Sequence, residues 1–105
     1  MILSIVTTLY KSEPFLERFV DRVSKAVQEL GIEDYEIIAV NDGSPDCSLQ
    51  TMLKLKDTNS HIVVVDLSRN FGHHYALFAG MEVSKGDLVF TIDCDLEVDP
   101  SYLIS

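Results

Sequence analysis

The feature that most constrains the fold is an alternation between short apolar runs and longer segments with helical spacing. Residues 3–8, 35–40, 62–66 and 88–92 are rich in Val, Ile, Leu and Phe, which favour strands. In the segments between them, apolar residues recur at helical spacing, most clearly over residues 15–30. The pattern therefore predicts the order β-α-β-α-β-α-β, in which each crossover is long enough for parallel strand pairing.

Right-handed crossovers between parallel strands predict an α/β, Rossmann-like open sheet, mainly parallel, with helices on both faces. At 105 residues the chain has the size of one domain. Ser12 is a candidate N-cap for the first helix, which is expected to end at Gly31. The third helix is expected over residues 75–83, packed closely against the sheet through its small residues, Ala76, Ala79 and Gly80.

Polar residues follow each predicted strand, and the carboxyl ends of parallel strands share one edge of the sheet. This C-terminal edge is where open α/β sheets bind ligands. Asp93 and Asp95 follow the last strand two residues apart, so in extended backbone their carboxylates share a face. Two convergent carboxylates suit a hard divalent cation such as Mg²⁺ or Mn²⁺.

Charge and motifs exclude several classes of function. The net charge of −9 disfavours nucleic-acid partners. Neither a Gly-x-Gly-x-x-Gly nor a phosphate-binding Gly-Lys-Ser/Thr loop is present, so a bound phosphate would depend on a metal and on side chains. Cys47 and Cys94 match no metal spacing and are interpreted as structural. No apolar run approaches the roughly 20 residues of a membrane span, and a cytoplasmic setting is expected.

Several polar residues at this edge have both a functional and a structural interpretation. For Asp42 we favour ligand recognition over a turn or cap, whereas for Asp46 we favour the turn or cap. Arg69 could bind a diphosphate through its planar guanidinium or bridge to a structural carboxylate. His73 and His74 could meet an anion at the start of the third helix, although isolated histidines are more often without such a role.

Four motifs then give the chain a family resemblance, and together they extend over nearly all of it. They are residues 35–38 (Tyr-Glu-Ile-Ile), 41–46 (Asn-Asp-Gly-Ser-Pro-Asp), 67–72 (Leu-Ser-Arg-Asn-Phe-Gly) and 93–97 (Asp-Cys-Asp-Leu-Glu). The chain resembles the N-terminal, nucleotide-sugar-binding part of family 2 glycosyltransferases with the GT-A fold. Within that family it is most similar to the transferases that use polyprenyl phosphates, such as dolichol-phosphate mannosyltransferases and bactoprenol glucosyltransferases.

The resemblance implies roles for particular residues. Asp42 would recognise the base, Asp93 would contact the ribose or the metal, and Arg69 would support the nucleotide or the sugar. Asp95 would be the main protein ligand of Mg²⁺ or Mn²⁺, with Glu97 as a further metal ligand; Asp93 and Asp95 are the candidate catalytic residues. The remaining candidates for nucleotide binding follow the first strand: Thr8, Tyr10 and Glu13. The sequence departs from the family pattern at Thr8, Leu9, Lys11 and His73, which bears on the identity of the donor.

The implied function is metal-dependent, inverting transfer of a sugar from a UDP- or GDP-sugar to a polyprenyl phosphate or glycan acceptor. In the family the acceptor-binding half lies beyond the position of Ser105, so residues 1–105 are expected to be truncated before it and inactive alone. The alternative is a nucleotide-binding module without turnover. A phosphoacceptor receiver domain is disfavoured because it leaves residues 41–44 and 68–72 unexplained.

Two further expectations concern the surroundings of the chain. Membrane association of the parent protein, at the cytoplasmic face, would depend on a C-terminal part. An exposed sheet edge and an apolar face predict homo-oligomerisation or poor solubility of the 105 residues.

Overall fold

A computed structural model describes residues 2–67 and 69–93 of the chain. Its helices and strands follow the predicted order: β1 (Leu3–Leu9), a 3₁₀ turn (Glu13–Phe15), α1 (Leu16–Glu29), β2 (Tyr35–Asn41), α2 (Ser48–Thr58), β3 (Ile62–Asp66), α3 (His73–Val83) and β4 (Leu88–Thr91). The predicted alternation of strands and helices is confirmed. Predictions for residues 94–105 lie outside the described residues.

The four strands form one parallel sheet in the order β3-β2-β1-β4. β1 is central and pairs with β2 along its whole length, from Leu3 opposite Tyr35 to Leu9 opposite Asn41. On its other side β1 pairs with β4, with Val6 opposite Thr91. Such a sheet places the carboxyl ends of all four strands at one edge, as predicted.

Helices cover both faces of the sheet, and each face has its own core. On one face, α1 and α2 bury their apolar side chains, including Phe19, Val23 and Met52, against Ile5 and Ile37 of the strands. On the other face, α3 packs through a smaller cluster of buried residues: Val6, Ile38, Val40 and Ala76. The alternation of side chains along β1 explains this division, since odd-numbered positions face α1 and even-numbered ones face α3.

α3 approaches the sheet closely because it presents small residues to it. Ala76 and Gly80 are buried, and a Cβ added to Gly80 would lie only 3.0 Å from Val40 Cγ2. Contacts this short leave no room for a side chain, so any larger residue at position 80 would push the helix away. The predicted close packing of the third helix is confirmed.

Two helix starts differ from the prediction. The Ser12 side chain does not cap the first helix; its Oγ accepts a hydrogen bond from the N–H of Tyr10 at 3.1 Å, and the chain enters through the 3₁₀ turn before α1 begins at Leu16. α3 begins at His73 rather than Tyr75, because the N–H of Ala76 already donates to the Gly72 carbonyl at 3.0 Å. The apolar pattern carries no signal for these two histidines.

β4 lies at the edge of the sheet formed by the described residues and is exposed along its length. Leu88, Val89 and Phe90 are 47%, 39% and 41% exposed. Phe78 and Met81 on the outer side of α3 are exposed as well. The expected apolar surface is therefore present in this part of the chain, whereas self-association stays a prediction.

Candidate functional site

Hydrogen bonds between the strands continue past the ends of the sheet and bring the following loops together. The N–H of Asp42 donates to the Leu9 carbonyl at 3.1 Å, and the N–H of Leu67 donates to the Asn41 carbonyl at 3.0 Å. On the other side of β1, the N–H of Ile92 donates to the Val6 carbonyl at 3.1 Å. The residues that follow all four strands therefore start from one ordered C-terminal edge.

The order of the strands defines a switch point between β1 and β4. From β1 the chain proceeds through β2 to β3 on one side, and then returns to place β4 on the other side. Neighbouring loops diverge at such a point, which leaves a crevice where open α/β sheets bind their ligands. Asp93, an exposed residue two positions after β4, lies at this crevice.

Asp42 is held in place by the backbone around it. It is 3% exposed, and its Oδ1 accepts a hydrogen bond from the N–H of Phe71 at 2.8 Å. The carboxylate thus joins the end of β2 to the loop between β3 and α3. This contact gives Asp42 a structural role at the predicted position, and its recognition of a base stays a prediction.

Gly43 brings the same two loops into contact. Its φ of +64° lies in the left-handed region, which favours glycine. A Cβ built there would lie 2.6 Å from the carbonyl carbon of Arg69, so the β2–α2 loop and the β3–α3 loop touch backbone to backbone. Glycine at this position is therefore required both by conformation and by space.

Within the described residues, the contact that Arg69 makes is with an aromatic ring and not with a carboxylate, and its binding of a diphosphate is untested. Its guanidinium carbon lies 5.0 Å from the centre of the exposed Phe71 ring, a cation–π distance. The Phe71 ring in turn lies 5.1 Å from the ring of Tyr75, at the start of α3. The loop thus presents a cation and two exposed aromatic rings beside Asp42, and its role toward a ligand stays a prediction.

Asp46 is the centre of a hydrogen-bond network at the start of α2. Its Oδ1 accepts bonds from the hydroxyls of Ser44 and Ser48, the latter at 2.6 Å, and from the N–H of Ser48 at 3.0 Å. Burial raises the pKa of Asp46, but the hydrogen bonds from Ser44, Ser48 and the N–H of Glu13 outweigh it and lower the pKa from 3.8 to about 2. The bond from the Ser48 N–H, two residues on, agrees with the structural interpretation of Asp46 as a turn or cap residue, while Cys47 holds the N-cap position of α2.

Glu13 shares in that network. Its N–H donates to Asp46 Oδ2 at 3.3 Å, while its Oε1 accepts a hydrogen bond from the N–H of Cys47 at 3.2 Å. These reciprocal bonds join the segment after β1 to the first turn of α2. Glu13 is exposed at the C-terminal edge, so the geometry is compatible with its predicted place by the nucleotide.

Tyr10 follows β1 directly and is 45% exposed. Its ring lies 5.7 Å from the Nζ of Lys11, which has a left-handed φ of 54°. The N–H of Lys11 donates to Ser44 Oγ at 2.8 Å, which holds this unusual backbone in place. The turn presents both side chains to solvent at the C-terminal edge.

Thr8 contacts the first turn of α3. Its Oγ1 lies 3.2 Å from Nδ1 of His73, so the last part of β1 and the N-terminus of α3 are joined by a side-chain hydrogen bond. Sequence spacing could not reveal this contact, because 65 residues separate its partners.

The candidate metal ligands are only partly within the described residues. Asp93 is exposed at the switch point, whereas Asp95 and Glu97 lie outside the described residues. Residues 2–67 and 69–93 contain no group of three or more His, Cys, Asp or Glu side chains arranged to hold a metal. The carboxylate of Asp93 is an oxygen ligand of the kind that Mg²⁺ and Mn²⁺ prefer, so the chemistry of this donor fits the predicted ion.

Three clefts of the described surface lie away from these residues. One of about 650 Å³ runs between α1 and the end of α2, and two smaller ones adjoin the Tyr35–His61 ring stack at the opposite edge of the sheet. None of the predicted site residues lines them. No helix within residues 2–67 and 69–93 is long and apolar enough to cross a bilayer.

Sequence comparison identifies relatives over almost the whole chain. The model of the family described as Glycosyl transferase family 2 matches residues 4–105. A Mycobacterium tuberculosis (strain CDC 1551 / Oshkosh) protein named as a glycosyltransferase is 50% identical over 98% of this chain and 30% of its own length. An uncharacterized glycosyltransferase of Synechocystis sp. is 44% identical over 97% of this chain and 31% of its own length. The chain thus spans about a third of the length of these relatives.

Solved structures share the fold. The mannosyltransferase PcManGT from Pyrobaculum calidifontis, in complex with GDP-Man and Mn²⁺, matches with a TM-score of 0.80 at 19% identity, over 89% of this chain and 27% of that one. S. aureus TarS in complex with UDP-GlcNAc matches with a TM-score of 0.77 at 20% identity, over 99% of this chain and 29% of that one. At these identities the likeness establishes the α/β architecture of this chain.

Proposed function

The chain belongs to glycosyl transferase family 2, and from this premise we propose that it is the nucleotide-sugar-binding part of an enzyme that transfers a sugar from a UDP- or GDP-sugar. The observation that carries the proposal is the C-terminal edge. There the switch point lies between β1 and β4, Asp93 follows β4, and the loops around Asp42 are joined after β2, which supports a ligand site at this edge.

The positions of the side chains support the binding roles that we propose. Asp42 has its Oδ1 fixed by the Phe71 N–H, and a carboxylate fixed in this way is preorganised to accept a hydrogen bond from a base. Arg69, next to it, would support the nucleotide or the sugar. Asp93, two residues beyond β4, would accept hydrogen bonds from ribose hydroxyls.

We also propose that Asp95, with Glu97 and Asp93, would hold a Mg²⁺ or Mn²⁺ ion at the diphosphate. Two neighbouring structures support this, since PcManGT is in complex with GDP-Man and Mn²⁺ and TarS is in complex with UDP-GlcNAc. When bound, the ion would neutralise charge on the departing diphosphate. With a net charge of −9, the chain would otherwise repel a nucleotide diphosphate.

The reaction we propose is inverting. An acceptor oxygen, from a polyprenyl phosphate or a glycan, attacks the anomeric carbon while the bond to the diphosphate breaks and its electron pair leaves with the nucleotide. A polyprenyl phosphate is already anionic and needs no base for this attack. For the 105 residues taken alone we propose nucleotide binding without turnover, because the chain spans only about 30% of the M. tuberculosis relative.

Calorimetric titration tests the binding half of the proposal. UDP and GDP, each with and without Mn²⁺, are titrated into the wild-type chain, Asp95→Ala and Asp93→Asn. Asp57→Asn is the matched control, since Asp57 is an exposed aspartate near the far end of α2. We expect one nucleotide to bind in a Mn²⁺-dependent way, and both site variants to weaken it by tenfold or more while the control does not.

Two results would contradict the proposal. One is a chain that is folded by circular dichroism and binds neither nucleotide under any of these conditions. The other is binding that is equally strong without Mn²⁺ and in Asp95→Ala, which would remove the metal from the site. Label recovered on a polyprenyl phosphate after incubation with the 105 residues and a labelled nucleotide-sugar would overturn the claim that they bind without turnover.

A further inference from the structure

The contact between β1 and the start of α3 places a histidine at the switch point. α3 runs back from the C-terminal edge, so its first turn lies there, and Thr8 Oγ1 lies 3.2 Å from Nδ1 of His73. His74, the next residue, is exposed, and its ring meets the His73 ring edge-on at 5.8 Å between centroids. Within this pair, it is His73 that is bonded to the sheet.

The register of the sheet brings Asp93 to the same place. Val6 is opposite Thr91, and the N–H of Ile92 donates to the Val6 carbonyl at 3.1 Å. Extended over the two residues after β4, this register predicts that Asp93 lies beside Thr8, at the spacing of about 4.8 Å that separates paired strands. Ile92 packs against the core on the α1 face, so the alternation of side chains predicts that Asp93 points to the α3 face, which carries His73.

We propose that Thr8 orients the His73 imidazole so that His73 binds the diphosphate of the nucleotide-sugar. This inference rests on the proposed function, and it adds a residue for which neither the family match nor the neighbouring structures give a role. The diphosphate must lie near Asp93 if that residue contacts the ribose or the ion. His73 is bonded to Thr8, the residue beside which the sheet register predicts Asp93.

The hydrogen bond between Thr8 and His73 fixes the orientation of the ring. In the tautomer in which Nδ1 accepts the Thr8 hydroxyl proton, the ring proton is on Nε2. Nε2–H is then a donor for a phosphate oxygen at the N-terminus of α3, where free backbone N–H groups and the helix dipole also favour an anion. In this geometry, Thr8 acts through His73 as a positioning residue.

The test compares neighbouring histidines. UDP and GDP are titrated with Mn²⁺ into wild type, His73→Ala and His74→Ala, and uridine and guanosine are titrated at millimolar concentration as ligands without phosphate. Both variants lose the contact between the two rings, so the difference in affinity between them measures the contribution of the His73 ring, which is bonded to Thr8. We expect His73→Ala to weaken the diphosphate about tenfold and the nucleoside not at all, while His74→Ala changes neither by more than about twofold.

Thr8 supplies a second, independent arm. Thr8→Val removes the hydroxyl at constant shape, and Thr8→Ser keeps it. We expect a loss of about threefold for Val and none for Ser, and a double variant with His73→Ala that binds no more weakly than His73→Ala alone.

The outcomes separate this inference from the function on which it rests. If the wild type binds a nucleotide but His73→Ala behaves like His74→Ala, the role of His73 is refuted and the nucleotide site stands. If His73→Ala weakens nucleoside and diphosphate equally, the residue acts on the base or the fold, and the inference is likewise overturned. If the folded wild type binds no nucleotide at all, the proposed function fails and this inference fails with it.

Discussion

Replacing Gly43 with alanine tests the contact that joins the two loops beside Asp42. Gly43 has a φ of +64°, and a Cβ there would come within 2.6 Å of the Arg69 carbonyl carbon and 3.1 Å of the Arg69 Cα. Both neighbours are backbone atoms, so neither can turn aside as a flexible side chain could. Alanine must therefore either strain the β2–α2 loop or displace the β3–α3 loop.

The expected magnitude has two parts. A residue with a Cβ in the left-handed region costs about 1–2 kcal/mol relative to glycine. Crowding one extra carbon against a packed neighbour costs about 1–3 kcal/mol more. We therefore expect Gly43→Ala to lower the free energy of unfolding by about 3 kcal/mol, a large part of the stability of a small domain.

Gly31→Ala is the matched control. Gly31 also has a left-handed φ, +72°, but a Cβ there would meet nothing within 4 Å. It should therefore lose only the conformational part, about 1 kcal/mol. Urea unfolding followed by circular dichroism gives both values, and their difference of about 2 kcal/mol isolates the contact between the loops.

Binding provides a second readout for the same pair. If Gly43→Ala displaces the β3–α3 loop, it also disturbs the bond from the Phe71 N–H to Asp42, so nucleotide affinity should fall in Gly43→Ala and not in Gly31→Ala. Equal destabilisation of the two variants would refute the reasoning, because it would show that no backbone contact opposes a side chain at position 43.

The remaining predictions concern Asp46 and the sheet edge. Because the pKa of Asp46 is lowered from 3.8 to about 2, its ionised form stabilises the fold above pH 4, and this contribution is lost as the pH falls from 4 through 2. Asp46→Asn should thus lower the free energy of unfolding at pH 7 by about 1 kcal/mol, a figure that is reduced for solvent screening. It should also make the free energy of unfolding fall less steeply between pH 4 and pH 2. The control, Asp57→Asn, should have neither effect. Because the edge strand β4 is exposed, the 11.8 kDa wild-type chain should sediment as an oligomer. Phe90→Lys should shift it toward the monomer, because a charge on β4 opposes its pairing with the edge strand of another chain. A wild type that sediments purely as a monomer would contradict this last prediction.

Local signals in the chain were sufficient for the architecture. The β-branched runs and the helical spacing between residues 15 and 30 show which side chains each strand or helix must bury, whatever it packs against. The order of strands and helices could therefore be read directly from the sequence. The length of the crossovers predicted the parallel sheet, and the small residues of α3 predicted its close approach to the sheet. The structure shows that approach where Gly80 lies against Val40. The starts of the helices were harder to predict. Serine is a residue type that favours N-caps, yet the Oγ of Ser12 accepts a hydrogen bond from the N–H of Tyr10.

The order of the strands and helices, the C-terminal edge to which the polar motifs belong and the likeness to family 2 can all be read from the sequence. Which of those polar residues meet depends on the tertiary fold. Thr8 bonds to His73 across 65 residues, and Asp42 bonds to the Phe71 N–H across 29. The physical reason is that periodicity encodes which face of an element is buried, whereas a hydrogen bond between loops depends on the strand order and register, which no local pattern specifies.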